Sequence, residues 1–202
     1  MHNQGIVHGG LRGVRSESCC PCSARSSPNR KANILINHAG HACLAGFSLL
    51  TIASDQPTTP SVVTGDAIRW MSPELINPSK FNLEEGRPTK RSDCYALGMV
   101  IYEVLSGRVP FSPGEDTTIV SKVMEGERPR RPQGREGARF TDSLWEMLGG
   151  CWKDQPDDRP SLDAVLGCLQ AGGKLPARPR WGWAGKLLNK ALKFTAGKPH
   201  RS

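Results

Sequence analysis

Residues 93–106 read Asp93-Cys94-Tyr95-Ala96-Leu97-Gly98-Met99-Val100-Ile101-Tyr102-Glu103-Val104-Leu105-Ser106, a helical stretch that is apolar nearly all round. A helix without a polar face belongs at the centre of a domain, wrapped by other elements. Gly107 and Pro110 supply its stop. The fold therefore has to be built around this segment, and the flanking sequence says with what.

Toward the C-terminus the helical period recurs three times. Asp116 or Thr117 is placed to cap a helix carrying Ile119, Val120, Val123 and Met124 on one side, with Gly126 as its stop. Thr141 or Asp142 opens another, with Leu144, Trp145, Leu148, Cys151 and Trp152 at helical spacing. Ser161 caps a last one bearing Leu162, Val165, Leu166 and Leu169, ended by Gly172 and Gly173. Toward the N-terminus, Ser72-Pro73-Glu74 combines an N-cap, a proline at the first helical position and an acid in the first turn. Further back, Ile34-Leu35-Ile36 and Ala42-Cys43-Leu44 flank Asn37-His38-Ala39-Gly40 as two short strands of a hairpin. The expected architecture is a short β-hairpin followed by about five helices around a buried central one.

Four zones organise the 202 residues: a Gly-rich opening at 1–13, a Ser/Arg/Cys/Pro stretch at 14–31 read as loop or disorder, the patterned region at 32–172, and a basic tail at 173–202. The 22 Gly and 16 Pro residues, with 37% apolar content, fit a chain that is partly loop. The net charge of +8 is spread along the chain and forms no dedicated arm, so no nucleic-acid partner is expected. Seven cysteines form no disulfide framework, which points to a reducing, intracellular (cytoplasmic) setting. No apolar run approaches a membrane span. In the tail, residues 181–194 place Trp183, Leu187, Ala191 and Phe194 on one helical face beside Lys186, Lys190 and Lys193. That is a weak signal for membrane-surface contact, set against a disordered or loosely docked tail. Cys19, Cys20 and Cys22 with His38 or His41 make a poor zinc knuckle, because the cysteine spacing is too tight.

Six motifs in order then resemble the lower lobe of protein kinases of the tyrosine-kinase-like group. His8-Gly9-Gly10-Leu11-Arg12 looks like the catalytic loop H-R-D-L-K, and Asn33 like the Asn of that loop. Leu44-Ala45-Gly46-Phe47-Ser48 looks like the D-F-G region, and Trp70-Met71-Ser72-Pro73-Glu74 like the A-P-E end of the activation segment. Ser92-Asp93-Cys94-Tyr95-Ala96-Leu97-Gly98 and Cys151-Trp152…Asp158-Arg159-Pro160-Ser161 resemble the central helix and the end of the lobe. The resemblance implies an α+β kinase-like fold, here its mainly helical C-terminal lobe only. Met1-His2-Asn3-Gln4 resembles the end of the helix before the catalytic loop, which puts the phosphate-gripping loop, its Lys and its Glu upstream. Arg12, where serine/threonine enzymes carry Lys, points to that specificity. The resemblance further implies that Glu74 pairs with Arg159, that Asp93 accepts from the backbone of the catalytic loop, and that Trp152 is core.

The chemistry departs from the family. Phosphoryl transfer from ATP needs a catalytic-loop Asp to orient the hydroxyl, and the D-F-G Asp with the loop Asn to hold magnesium. Gly10 and Gly46 occupy the two Asp positions, so neither can accept a proton or ligate a hard cation. Asn33 remains as a vestigial ligand, and His8 and Arg12 as loop remnants. ATP and Mg belong to the family, and none is expected on this chain. Asn33 also follows Gly10 by 23 positions (33 − 10) instead of the family's five, an excess that should push the two groups apart. Residues 14–31 supply that excess and resemble a retained intron. The block keeps the frame, starts with Val, whose codons begin GT, and ends with Lys, one of whose codons ends AG, and its removal restores the family spacing.

The expectation is thus a kinase-family chain acting as an inactive, partner-binding scaffold. The alternatives are an active serine/threonine kinase seen through a truncated gene model, and a degenerate, marginally stable fragment that leaves apolar surface uncovered.

Overall fold

The computed structural model describes residues 2, 6–16, 32–36, 41–45, 51–52 and 65–171. Two small sheets lie at the N-terminal end. In the first, β1 (Ile6–Val7) runs antiparallel to β5 (Thr51–Ile52). In the second, β2 (Val14–Ser16) pairs parallel with β3 (Ile34–Ile36), which pairs antiparallel with β4 (Ala42–Leu44). The β3–β4 hairpin has Leu35 opposite Cys43, and buries Ile34 and Ile36 while leaving β4 exposed. Its turn at 37–40 lies outside the described residues, as do the tail and the zinc-knuckle cysteines.

β2 corrects the reading of 14–31 as loop from its first residue. Val14–Ser16 forms the outer strand of the second sheet because β3 offers it a free edge that sequence alone does not reveal.

Six helices follow: α1 (Pro73–Ile76), α2 (Lys90–Ser106), α3 (Asp116–Met124), α4 (Gly134–Gly137), α5 (Asp142–Cys151) and α6 (Leu162–Ala171). Short 3-10 turns occupy Gly65–Trp70, Pro78–Phe81 and Pro156–Asp158. α2 is the central helix. It starts at Lys90, before Asp93, because Thr89 and Ser92 cap each other: the Thr89 hydroxyl accepts from Ser92 N (3.1 Å) and the Ser92 hydroxyl from Thr89 N (2.8 Å). Gly107 ends it in the left-handed region, φ 71°, its N–H on the Glu103 carbonyl.

Around α2 the core gathers Tyr95, Met99, Tyr102 and Leu105 with Phe140, Leu148, Trp152 and Val165. Trp152 is 3% exposed and stands edge-on to Tyr102 and Trp145. Gly98 permits this closeness. A Cβ there would lie 2.7 Å from the Trp152 indole nitrogen and 2.9 Å from the Cys151 Cβ. A smaller cluster joins Ile68 of the first 3-10 turn to Ile119 and Val123 of α3.

Local signals place Thr141 as the cap of α5 and Ser161 against the first turn of α6, accepting from Leu144 N and Ala164 N. Three details differ from the sequence reading. α3 is capped by Glu115, whose extended backbone precedes the helix, not by Asp116 or Thr117. Val120 faces solvent, since the buried side of α3 is one i, i+4 pair wide. Ser72 sits at the N-cap of α1, but its hydroxyl makes no cap bond and is buried without a partner among the described residues.

Candidate functional site

Chain leaving β1 turns sharply at His8-Gly9-Gly10, with Gly9 at φ 72°. The Asp93 carboxylate on the first turns of α2 holds that turn from below. Its Oδ2 accepts from His8 N and its Oδ1 from Gly9 N, both at 2.8 Å, while His2 Nε2 lies 2.9 Å from Oδ2. Asp93 is 1% exposed, so these contacts replace water around a buried carboxylate. Asp93 is therefore no N-cap; it staples a loop 85 residues away to the central helix.

His8 organises the next layer. Its Nε2 donates to the Ala45 carbonyl (3.0 Å) and its Nδ1 accepts from Gly10 N (3.2 Å), so one neutral tautomer serves both. The Asn33 amide donates to the Gly10 carbonyl at 2.6 Å. Asn33 N donates to Arg12 O (2.9 Å), and Asn33 O accepts from Ala45 N (2.8 Å). Gly10 is thus fixed through both of its flanking peptide groups. Here the structure corrects the expectation that 14–31 drives Asn33 away. The flanks of that block meet: a Cβ on Gly13 would lie 3.3 Å from the Ala32 Cα. A loop whose ends already touch can be long at small cost, because closure entropy grows only logarithmically with length. Gly46 lies outside the described residues.

A second constellation fixes the segment before α1. Glu74 and Arg159 form a bidentate pair, Nη1 to Oε1 and Nη2 to Oε2, both 2.7 Å and both residues 2% exposed. The remaining Arg159 donors reach the carbonyls of Lys153 (2.9 Å), Arg91 (3.1 Å) and Asp154 (3.1 Å), and the guanidinium stacks 5.2 Å from the Tyr95 ring centroid. Every N–H of the guanidinium is used.

Two further struts were not read from the sequence. Buried Arg69 donates to Asp116 Oδ1 (2.8 Å) and to the carbonyls of Pro110 (3.0 Å) and Gly114 (2.6 Å). Trp70 Nε1 donates to Glu103 Oε2 at 3.1 Å. The available signal was an arginine between apolar Ile68 and Trp70, a charge that burial would oblige to find partners.

The family description protein tyrosine and serine/threonine kinase matches residues 30–169. The chain belongs to that family. A protein of Dictyostelium discoideum named as a probable serine/threonine-protein kinase is 30% identical over 139 residues, covering 68% of this chain and 14% of the relative's length. The family match takes in Asn33, Glu74, Asp93, Trp152 and Arg159 of this kinase-family chain, and begins after His8, Gly10 and Arg12. It starts, that is, at the far end of the 14–31 block.

Among the described residues no group of three or more His, Cys, Asp or Glu side chains is arranged to hold a metal ion. No described helix is long and apolar enough to cross a membrane.

Proposed function

We propose that this chain is the lower, mainly helical lobe of a tyrosine-kinase-like serine/threonine kinase domain, and that it acts as a scaffold for protein partners without transferring phosphate. The observation that carries the reading is Gly10. The loop around it is held by Asp93, His8 and Asn33 at its backbone, yet the residue offers no carboxylate to orient a substrate hydroxyl. Asn33 donates one amide hydrogen to the Gly10 carbonyl, and its side chain can offer a cation one neutral oxygen where the cation prefers several anionic ones. The residues present do not fit a magnesium–nucleotide complex. Free Cys43, Cys94, Cys151 and Cys168 suit the reducing, intracellular setting that goes with this role.

The test is γ-phosphate transfer and magnesium–ATP binding by the purified chain beside the double variant Gly10→Asp, Gly46→Asp. The scaffold reading expects neither activity in the parent. Turnover by the parent that disappears on Asn33→Ala would overturn it.

Residues 14–31 read as a block inserted into the catalytic loop, supported by the contact between Gly13 and Ala32 and by the start of the family match. Sequencing the mature transcript decides whether the block is translated.

A further inference from the structure

α6 lacks a partner along one side. It carries Leu162, Val165, Leu166 and Leu169, yet only Val165 is buried. Leu162 and Leu169 reach the edge of the core, and half-buried Leu166 packs against neither core cluster. On the flank beside Leu166 the helix presents Gly167, where an added Cβ would meet nothing within 4 Å. Asp163, three positions before Leu166 and so its neighbour on the helix surface, is exposed. Asp157 and Asp158, in the 3-10 turn just before α6, are exposed too. None of these aspartates has a cationic partner among the described residues. The side of α6 that the core leaves open is thus apolar along its length and acidic at its N-terminal end, on a chain whose net charge is +8.

A segment that fits this side leaves from the same helix. The described chain ends at Ala171, the last residue of α6, and residues 172–202 follow directly. Gly172, Gly173 and Pro176 are residues that end a helix and turn a chain. The link 172–180 can span up to about 30 Å, against about 15 Å for the length of α6, so a return along the helix needs no stretched backbone. Beyond it, Trp183, Leu187, Ala191 and Phe194 recur at helical spacing, with Lys186, Lys190 and Lys193 beside them.

We propose that residues 181–194 fold back antiparallel over α6 of the same chain, laying the Trp183–Phe194 stripe on Leu162, Leu166 and Leu169. Charge sets the direction. An antiparallel course brings Lys190 and Lys193 to the end of α6 that carries Asp157, Asp158 and Asp163. A parallel course would leave those lysines beside Gln170 and Ala171, which have no charge to offer them. Tethering favours this occupant over a separate molecule, because a short flexible link holds the segment at an effective concentration of about millimolar. The proposal stands independently of whether the chain transfers phosphate.

The experiment is carbodiimide cross-linking of the full 202-residue chain, as an equal mixture of nitrogen-15-labelled and unlabelled protein, with peptide mapping by mass spectrometry. This zero-length reagent joins a lysine amine only to a carboxylate in contact with it. The expected links run within one chain, from Lys190 or Lys193 to Asp157, Asp158 or Asp163. Leu187→Asp lies outside the lobe, so α2 should keep its amide exchange rates. The same variant should lose the links and quicken exchange at 162–171 by about tenfold. Four results overturn the proposal. Links to exposed Glu84 or Glu125 as frequent as those to Asp163 would describe a tail with no seat. Links only between labelled and unlabelled chains would give the face to a second copy. Protection of 162–171 that arises only on adding phosphatidylserine vesicles would give the tail to a lipid surface. Unchanged exchange at 162–171 in Leu187→Asp would leave α6 uncovered by the tail.

Discussion

Two regions of this molecule use the same device and end in different states. At the Arg159 anchor, a buried Glu74 meets a guanidinium 85 residues away, and both sides of the contact are side chains. At the His8–Gly10 turn, a buried Asp93 meets backbone N–H groups equally far away, and the residue presented above it, Gly10, has no side chain. The anchor would not survive loss of either partner. The turn takes its shape without a side chain at Gly10, because Asp93, His8 and Asn33 all bind main chain. On the proposed scaffold reading, architecture and catalysis are separable, since the stabilising acid and the position read as catalytic are different residues.

The largest expected effect falls on the anchor. Arg159→Ala removes both side-chain donors that Glu74 has among the described residues and leaves a buried carboxylate without them, which costs about 3–5 kcal/mol. Urea unfolding of the variant should show a midpoint far below the parent's or no cooperative transition. A loss below about 1 kcal/mol would mean that water reaches Glu74 and that the two regions are less different than the geometry says.

Asp93→Asn comes next. The amide is nearly the same size but turns one acceptor into a donor facing an N–H, so one of His8 N and Gly9 N loses its partner. The expected cost is about 1–3 kcal/mol. Amide hydrogen exchange should quicken at residues 8–10 while Tyr95 and Met99 stay protected. Uniform quickening through α2 would show that Asp93 supports the helix and not chiefly the loop.

Much of this arrangement was legible in the sequence, and the boundary is a physical one. Features set by neighbours a few positions apart could be read: the apolar wrap of α2, the Gly107 stop, the Thr141 and Ser161 caps, the pairing of β3 with β4. The reciprocal cap at Thr89 escaped because Ser92 stands where the usual pattern has Glu or Gln. α4 escaped because Gly134-Arg135-Glu136-Gly137 has little helical preference and is a single turn. Contacts between remote residues could be read only where the kinase motifs named both partners, as with Glu74 and Arg159. Arg69 and Asp116 carried no such label. The displacement expected of Asn33 failed for a related reason: spacing along the chain does not give distance when the ends of an insertion touch.

That point yields a deletion. Removing residues 14–31 joins Gly13 to Ala32, which already lie in contact, and sacrifices the short β2 strand. Shortening the loop lowers its closure entropy, each halving by about 0.6 kcal/mol, which offsets part of the lost pairing. The variant should unfold cooperatively within about 1 kcal/mol of the parent. Collapse of the transition would mean that β2 holds the second sheet together and that the block belongs to the fold.

The smallest effect is the most pointed. Gly10 lies outside the left-handed region that its neighbour Gly9 occupies, it is only half buried, and its N–H and carbonyl are bonded in a way that ignores the side chain. Gly10→Asp should therefore leave the unfolding free energy from urea titration within about 0.5 kcal/mol of the parent's, as for an ordinary surface substitution. If the aspartate destabilised the chain by several times that, the turn would have adapted to glycine, and the empty position would be a built feature of the scaffold. Neutrality would mean that the loop still accepts the residue its family uses. The absence of a carboxylate would then be a change of one side chain on an intact frame.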